Sequence, residues 1–264
     1  LYSVADIEGL NQLSRQVIAN ASLAMVGMVT NEPDVEVESQ PTIGITMFGV
    51  TTPCAKTARA YLEDRGYETI VFHATGTGGR AMENLIKEGV IDGVLDITTT
   101  EWADELVGGV LNAGPDRLDA AGEAGIPQVV STGALDMVNF GPRDSVPEKF
   151  EDRLFHIHNP QVTLMRTTAA ENAELGEVIG KKLNAAAGPT TLALPLGGVS
   201  MLDVEGEAFY DPDADTALFD ALREIINDEI DLIEMETDIN DEVFAEAMAE
   251  RLDEYMQAAG VGAD

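Results

Sequence analysis

The chain has 264 residues, with 48 Asp and Glu against 15 Lys and Arg and a formal net charge of −33, a balance that repels nucleic acid and anionic lipid at long range. Apolar residues make up 45 %, enough to build a core and to exclude disorder for most of the length. A single Cys excludes a disulfide framework and suits a reducing cytoplasm, and no run approaches the roughly 18 apolar residues of a membrane span.

The opening residue is Leu1, so the N-terminus reads as cut, and the lack of a visible signal peptide there carries little weight. Ile7, Leu10, Leu13, Val17, Ile18 and Ala21 recur at helical spacing, which predicts a helix over 3–28 with Ser3 as its cap. Residues 31–41 are polar, acidic and aperiodic, a linker that sets an N-terminal helix-and-linker segment, 1–41, apart from a domain over 42–264.

Short apolar runs then alternate with amphipathic stretches. The runs lie at 42–48, 68–73, 91–97, 126–131, 154–158, 190–196 and 230–236. The helical stretches lie near 53–65, 78–88, 101–123, 168–187, 213–227 and 241–258. This alternation predicts an α/β fold: a doubly wound, mostly parallel sheet of about seven strands, Rossmann-like, with helices on both faces. Val- and Ile-rich runs without clean alternation fit strands covered on both sides. A TIM barrel needs eight such units.

In such sheets ligands bind beyond the carboxyl ends of the strands. Those ends here are rich in glycine and threonine. The first runs into Gly49-Val50-Thr51-Thr52-Pro53-Cys54, with Thr52 as a cap and Cys54 in a first turn where the helix dipole lowers a thiol pKa. No base adjoins Cys54, which leaves it a structural role. The second end is His73-Ala74-Thr75-Gly76-Thr77-Gly78-Gly79-Arg80-Ala81. Its Gly76-x-Gly78-x-x-Ala81 spacing lets backbone N–H groups approach a phosphate at a helix N-terminus. Thr75 and Thr77 add hydroxyls and Arg80 a cation able to grip two oxygens. Asp96, 20 residues after Gly76, stands where a ribose-binding acid would sit. A tight turn with no ligand is the plain alternative.

The third end carries Thr98, Thr99 and Thr100, then Glu101 and Asp104, which act as dipole partners or, beside a phosphate, as Mg²⁺ ligands. His73, Glu101 and His158 are the acid/base candidates. Arg166, close after His158, offers a second anion clamp. No Cys/His spacing fits zinc, and no G-x-S-x-G marks a hydrolase. The acids as a whole, including Asp211-Pro212-Asp213-Ala214-Asp215, read as solvated surface of a halophilic kind, suited to a very salty cytoplasm.

Several of these stretches together resemble a known family: Met47–Cys54, Val71–Met82, Leu95–Glu101, His158-Asn159-Pro160, Leu164–Thr168, Phe209–Pro212 and Ile239–Asp241. The family is a conserved one without an assigned reaction, found in bacteria, archaea, fungi and plants, whose plant relative resists tobamoviruses by inhibiting viral replication proteins. The resemblance covers nearly the whole chain. It implies two Rossmann-like subdomains in tandem, this chain matching the second, with the N-terminal domain of the same protein as its partner. It also implies ATP binding, in a half it does not specify, and assigns no catalytic residue. The leading expectation is therefore a domain that binds a phosphorylated ligand, ATP or a similar nucleotide with Mg²⁺, at the glycine- and threonine-rich edge. A metabolic enzyme with its cleft between the two subdomains is a second expectation, and an assembly module without chemistry a third. Self-association is left open.

Overall fold

The computed structural model describes residues 9–31 and 40–262. They fall into two compact units, divided at Ser39 and Gln40. In the first, helix α1 (Gln12–Thr30) starts at Asn11, whose side chain accepts from the Ser14 amide in a capping box. The expected cap at Ser3 and most of the linker lie outside the described residues.

The second unit opens with β1 (Thr42–Met47), α2 (Thr52–Glu63), β2 (Glu68–His73), α3 (Thr77–Lys87) and β3 (Gly93–Thr98). Then come α4 (Glu101–Val107), α5 (Ala120–Ala124) and β4 (Gln128–Gly133). A short stretch of β5 (Met137–Phe140), β6 (Phe155–Asn159) and β7 (Val162–Arg166) follows. The chain closes with α6 (Ala169–Asn184), β8 (Thr190–Pro195), α7 (Pro212–Ile225), β9 (Asp231–Met235) and α8 (Glu242–Ala258).

The main sheet has six strands in the order β2-β1-β3-β4-β8-β9, all pairs parallel. Every strand therefore ends on one edge, and the order reverses between β1 and β3. Strands β1, β3, β4 and β8 are buried almost throughout, because helices cover both faces. On one face α2 and α8 bring Ala58, Leu62, Phe244, Met248 and Leu252 onto Ile43, Ile45 and Leu95. On the other, α3 sets Met82 and Ile86 beside Val94, while α6 and α7 set Leu175, Ile179, Leu218 and Leu222 beside Leu192 and Leu194.

Two expectations are corrected. The run at 154–158 is not a seventh strand of the main sheet; it is part of β6 in a separate antiparallel sheet ordered β5-β7-β6. The helix expected over 101–123 is two short helices, since α4 ends at Gly108 in the left-handed region (φ 100°) and Gly114 (φ 91°) turns the chain again. Among the described residues no helix is long and apolar enough to cross a membrane.

The segment 196–211, between β8 and α7, folds over the carboxyl edge. The Met201 amide donates to the Val50 carbonyl (3.1 Å), and the Val199 carbonyl accepts from the Ala134 amide (2.9 Å). Phe209 packs with Ala134, Met137 and Leu164.

Candidate functional site

The glycine and threonine turns do share one edge, but their polar groups are largely committed within the protein. At the start of α3, one carboxylate oxygen of Glu101 accepts from the amides of Gly76 (2.6 Å) and Gly79 (3.1 Å). The anion at this helix N-terminus is thus an internal side chain. Gly79 allows that approach, since a Cβ there would run into the Glu101 carboxylate. Gly78 is required for a different contact, because a Cβ would strike the His73 carbonyl.

Arg117 holds this arrangement together. Its guanidinium donates to Glu101 Oε2 from Nε (2.7 Å) and to both oxygens of Asp96 from Nη1 (2.5 Å) and Nη2 (2.7 Å). Arg117, Asp96 and Glu101 are each at most 1 % exposed. Glu83 joins from 3.5 Å and accepts from the Leu118 and Ala120 amides; burial pushes its carboxyl up, against the pull of Arg117. Asp96 also accepts from the Thr46 hydroxyl (2.8 Å). The threonines are occupied in the same way. The Thr51 and Thr98 hydroxyls bond each other (2.7 Å) at the β1–β3 reversal, and the Thr99 hydroxyl donates to the Ser131 carbonyl (3.0 Å).

Several expectations change accordingly. Asp96 faces Arg117 rather than a ribose, Glu101 has no open oxygen for acid/base work, and Thr51, Thr98 and Thr99 lie inside the protein. The Mg²⁺ role for Glu101 and Asp104 does not fit these side chains. Asp104 is buried, accepts from the Asn139 amide (2.7 Å) and side-chain amide (2.6 Å), and its carboxyl is pushed up to about 7 by burial, against those hydrogen bonds. Among the described residues no group of three or more His, Cys, Asp or Glu is placed to hold a metal ion. Cys54 is fully buried, and burial pushes its thiol up, overriding the helix dipole.

Other predicted residues stay at the surface. His73 is exposed, its ring edge-on to Phe48 at 5.5 Å, and Thr77 and Arg80 are exposed beside it. Arg80 donates from Nη1 to the Asn112 carbonyl (2.9 Å). Thr52 and Thr75 are half-buried, their hydroxyls turned to the Phe48 and His73 carbonyls. His158 is exposed on β6.

Arg166 is buried and clamps protein acids. Its Nη2 donates to Asp203 (3.0 Å) and Asp215 (2.7 Å), and its Nε to the Phe209 carbonyl (2.8 Å). Asp136 stands in the same cluster, accepting from the Ser200 hydroxyl (2.7 Å), with its other oxygen unpartnered among the described residues. Burial and the neighbouring Asp136 and Asp215 push the Asp203 carboxyl up to about 9. Burial, opposed by Arg166, pushes Asp136 up to about 6.

A cavity of about 380 Å³ opens next to this cluster. It lies where β8 and β9 end, lined by Gly197 and Glu236, with Asp215, Thr216, Phe219 and Arg223 along one face of α7. Glu205 and Tyr210, from the segment over the edge, close it. Asp215 joins the cavity to Arg166. Sequence reasoning pointed to Arg166 and missed Asp203, Asp215 and the cavity. The signal present was Asp215 within Asp211–Asp215, four residues before Phe219 and eight before Arg223, on one helical face.

The family model described as the Uncharacterised protein family (UPF0261) C-terminal domain matches residues 40–256, and that of the N-terminal domain matches 1–34. A UPF0261 protein of Clostridium tetani is 58 % identical over 259 residues, covering 97 % of this chain and 64 % of the relative. A UPF0261 protein of Rhizobium meliloti is 51 % identical, covering 93 % of this chain and 62 % of the relative. The ToMV resistance protein Tm-1(GCR237) of Solanum lycopersicum is 48 % identical over 255 residues, 94 % of this chain and 34 % of that protein. The chain thus spans a little under two thirds of the bacterial relatives and about a third of the tomato protein. Among solved structures, a periplasmic solute-binding protein of an ABC transporter from Actinobacillus succinogenes, with bound D-allose, is similar at 17 % identity. That likeness covers 75 % of this chain and 59 % of the other with a TM-score of 0.29, too low to bear on the ligand. On the family matches and the close relatives, the chain belongs to the UPF0261 family and carries its C-terminal domain.

Proposed function

We propose that this domain binds a small molecule at the carboxyl edge of its parallel sheet, in the cavity where β8 and β9 end. The observation that carries this reading is the cavity's construction. It is concave, of ligand size, lined by aromatic and polar groups, and backed by carboxyls whose proton affinity burial has raised. Open α/β sheets place ligands on this edge. Asp215 lines the cavity and accepts from Arg166, which also donates to Asp203, so a ligand contact at Asp215 reaches this buried ion-pair cluster.

A phosphorylated ligand such as ATP is the second reading. It is favoured by exposed Arg80, His73 and Thr77 where α2 and α3 begin beside each other, β1 and β2 being paired. Its Mg²⁺ would arrive on the phosphates, since Glu101 and Asp104 are already engaged. Against it stands Glu101, which holds the amides of Gly76 and Gly79.

Thermal-shift titration of the protein joined to its N-terminal domain, with small molecules grouped as cationic, neutral and phosphorylated, tests both. A Thr216→Trp variant narrows the cavity, and an Arg80→Ala variant removes the exposed cation. The proposal predicts a stabilising ligand whose effect disappears in Thr216→Trp and persists in Arg80→Ala. Stabilisation by ATP that is lost only in Arg80→Ala supports the second reading and overturns the first.

A further inference from the structure

We infer that the cavity at the end of β8 and β9 selects a small organic cation, an alkylammonium compound with one or two amino groups; this rests on the binding reading above. Glu205, Asp215 and Glu236 line the cavity, and Arg223 is its one lining cation. That cation is spent elsewhere: Nε donates to Glu234 (2.6 Å) and Nη1 to Asp220 (2.8 Å). The nearest buried cation, Arg166, is likewise divided between Asp203 and Asp215. Among the described residues neither Glu205 nor Glu236 has a Lys, Arg or His nitrogen within 4.0 Å.

Unpaired acids are common on a chain with 48 acids and 15 bases, so charge alone selects nothing. What sets this place apart is a concave wall carrying two such acids together with the Phe219 side chain and the Tyr210 ring. An ammonium group gains charge-assisted hydrogen bonds from carboxylates and attraction from an aromatic face, and its methylenes lose water against Phe219. An anion entering the same wall meets three carboxylates and no free cation. A neutral polyol gains hydrogen bonds without the Coulomb term.

The test is calorimetric titration of the protein, including its N-terminal domain, with putrescine, with glucose and with inorganic phosphate. The variants are Glu236→Gln and the double variant Glu205→Gln/Glu236→Gln; both positions are exposed, so these near-isosteric changes spare the core. The inference predicts putrescine binding at one site per chain, weakened about tenfold by Glu236→Gln and further by the double change. Binding of many putrescine molecules per chain, unaffected by either variant, is counterion condensation on the acidic surface and overturns the inference. Glucose or phosphate binding that Thr216→Trp abolishes overturns the cation assignment and leaves the binding reading standing. No heat from any of the three, with no stabilising ligand in the broader titration, ends both.

Discussion

Arg117 decides how the β1–β3 end of the sheet edge is used. It is the single cation among Asp96, Glu101 and Glu83, and all four are buried. Removing one partner from such a set leaves charge without compensation, which costs about 3–5 kcal/mol. Arg117→Met is expected to lower unfolding free energy by that amount in urea titration. Asp104 supplies a pH dependence. Its folded carboxyl is raised to about 7 from 3.8 by burial, against the hydrogen bonds from Asn139, so the folded state holds its proton longer than the unfolded state does. Its stabilising contribution is therefore full below about pH 4, declines as pH rises toward 7, and is constant above. Denaturation of wild type and Asp104→Asn across pH 4–8 checks this: the difference must move against wild type between 4 and 7, and stay level beyond. At this scale the sequence showed acids at strand ends and could not show their partner. Arg117 follows Gly114-Pro115-Asp116 in a stretch that helical periodicity had absorbed, and only the folded chain brings it back under β3.

Elements were the most legible level where the pattern was local. Six apolar runs became the parallel strands within two residues at each end, because strands covered on both faces write a continuous apolar signature. The small antiparallel sheet was not legible. β5 and β7 are four and five residues long, and their pairing, Met137 with Arg166 through Phe140 with Thr163, depends on contacts far apart in sequence. Glycine spacing at α3 was seen, and its cause was misjudged: the turn admits Glu101 from the start of α4 where a phosphate was expected. Gly79→Ala is accordingly expected to separate α3 from α4 and to lower stability by about 1–3 kcal/mol, the cost of leaving a buried hydrogen-bonded acid unsatisfied. Chemical denaturation measures it, and a neutral outcome would show that Glu101 is not held by that helix.

The whole molecule carries −33 on 264 residues, and the ion pairs at its surface leave most acids unmatched. In dilute buffer those charges repel across the surface, while at 1 M salt the screening length falls to about 3 Å. We propose that the fold is adapted to high salt. The melting temperature should climb by several degrees between millimolar and molar KCl, at about 2–4 °C for each kcal/mol of repulsion relieved in a domain of this size. A flat profile would contradict the halophilic reading.

Amide chemical-shift mapping of the protein with its N-terminal domain, titrated with putrescine and separately with ATP, separates the β8–β9 cavity from the glycine turn before α3 as the place where a ligand binds. Putrescine binding in the cavity gives saturable shifts at Gly197, Tyr210, Thr216 and Glu236, and none at Gly76, Gly78 and Gly79. Shifts gathered at Gly76–Arg80 on adding ATP, with the β8–β9 end silent under both, would contradict it.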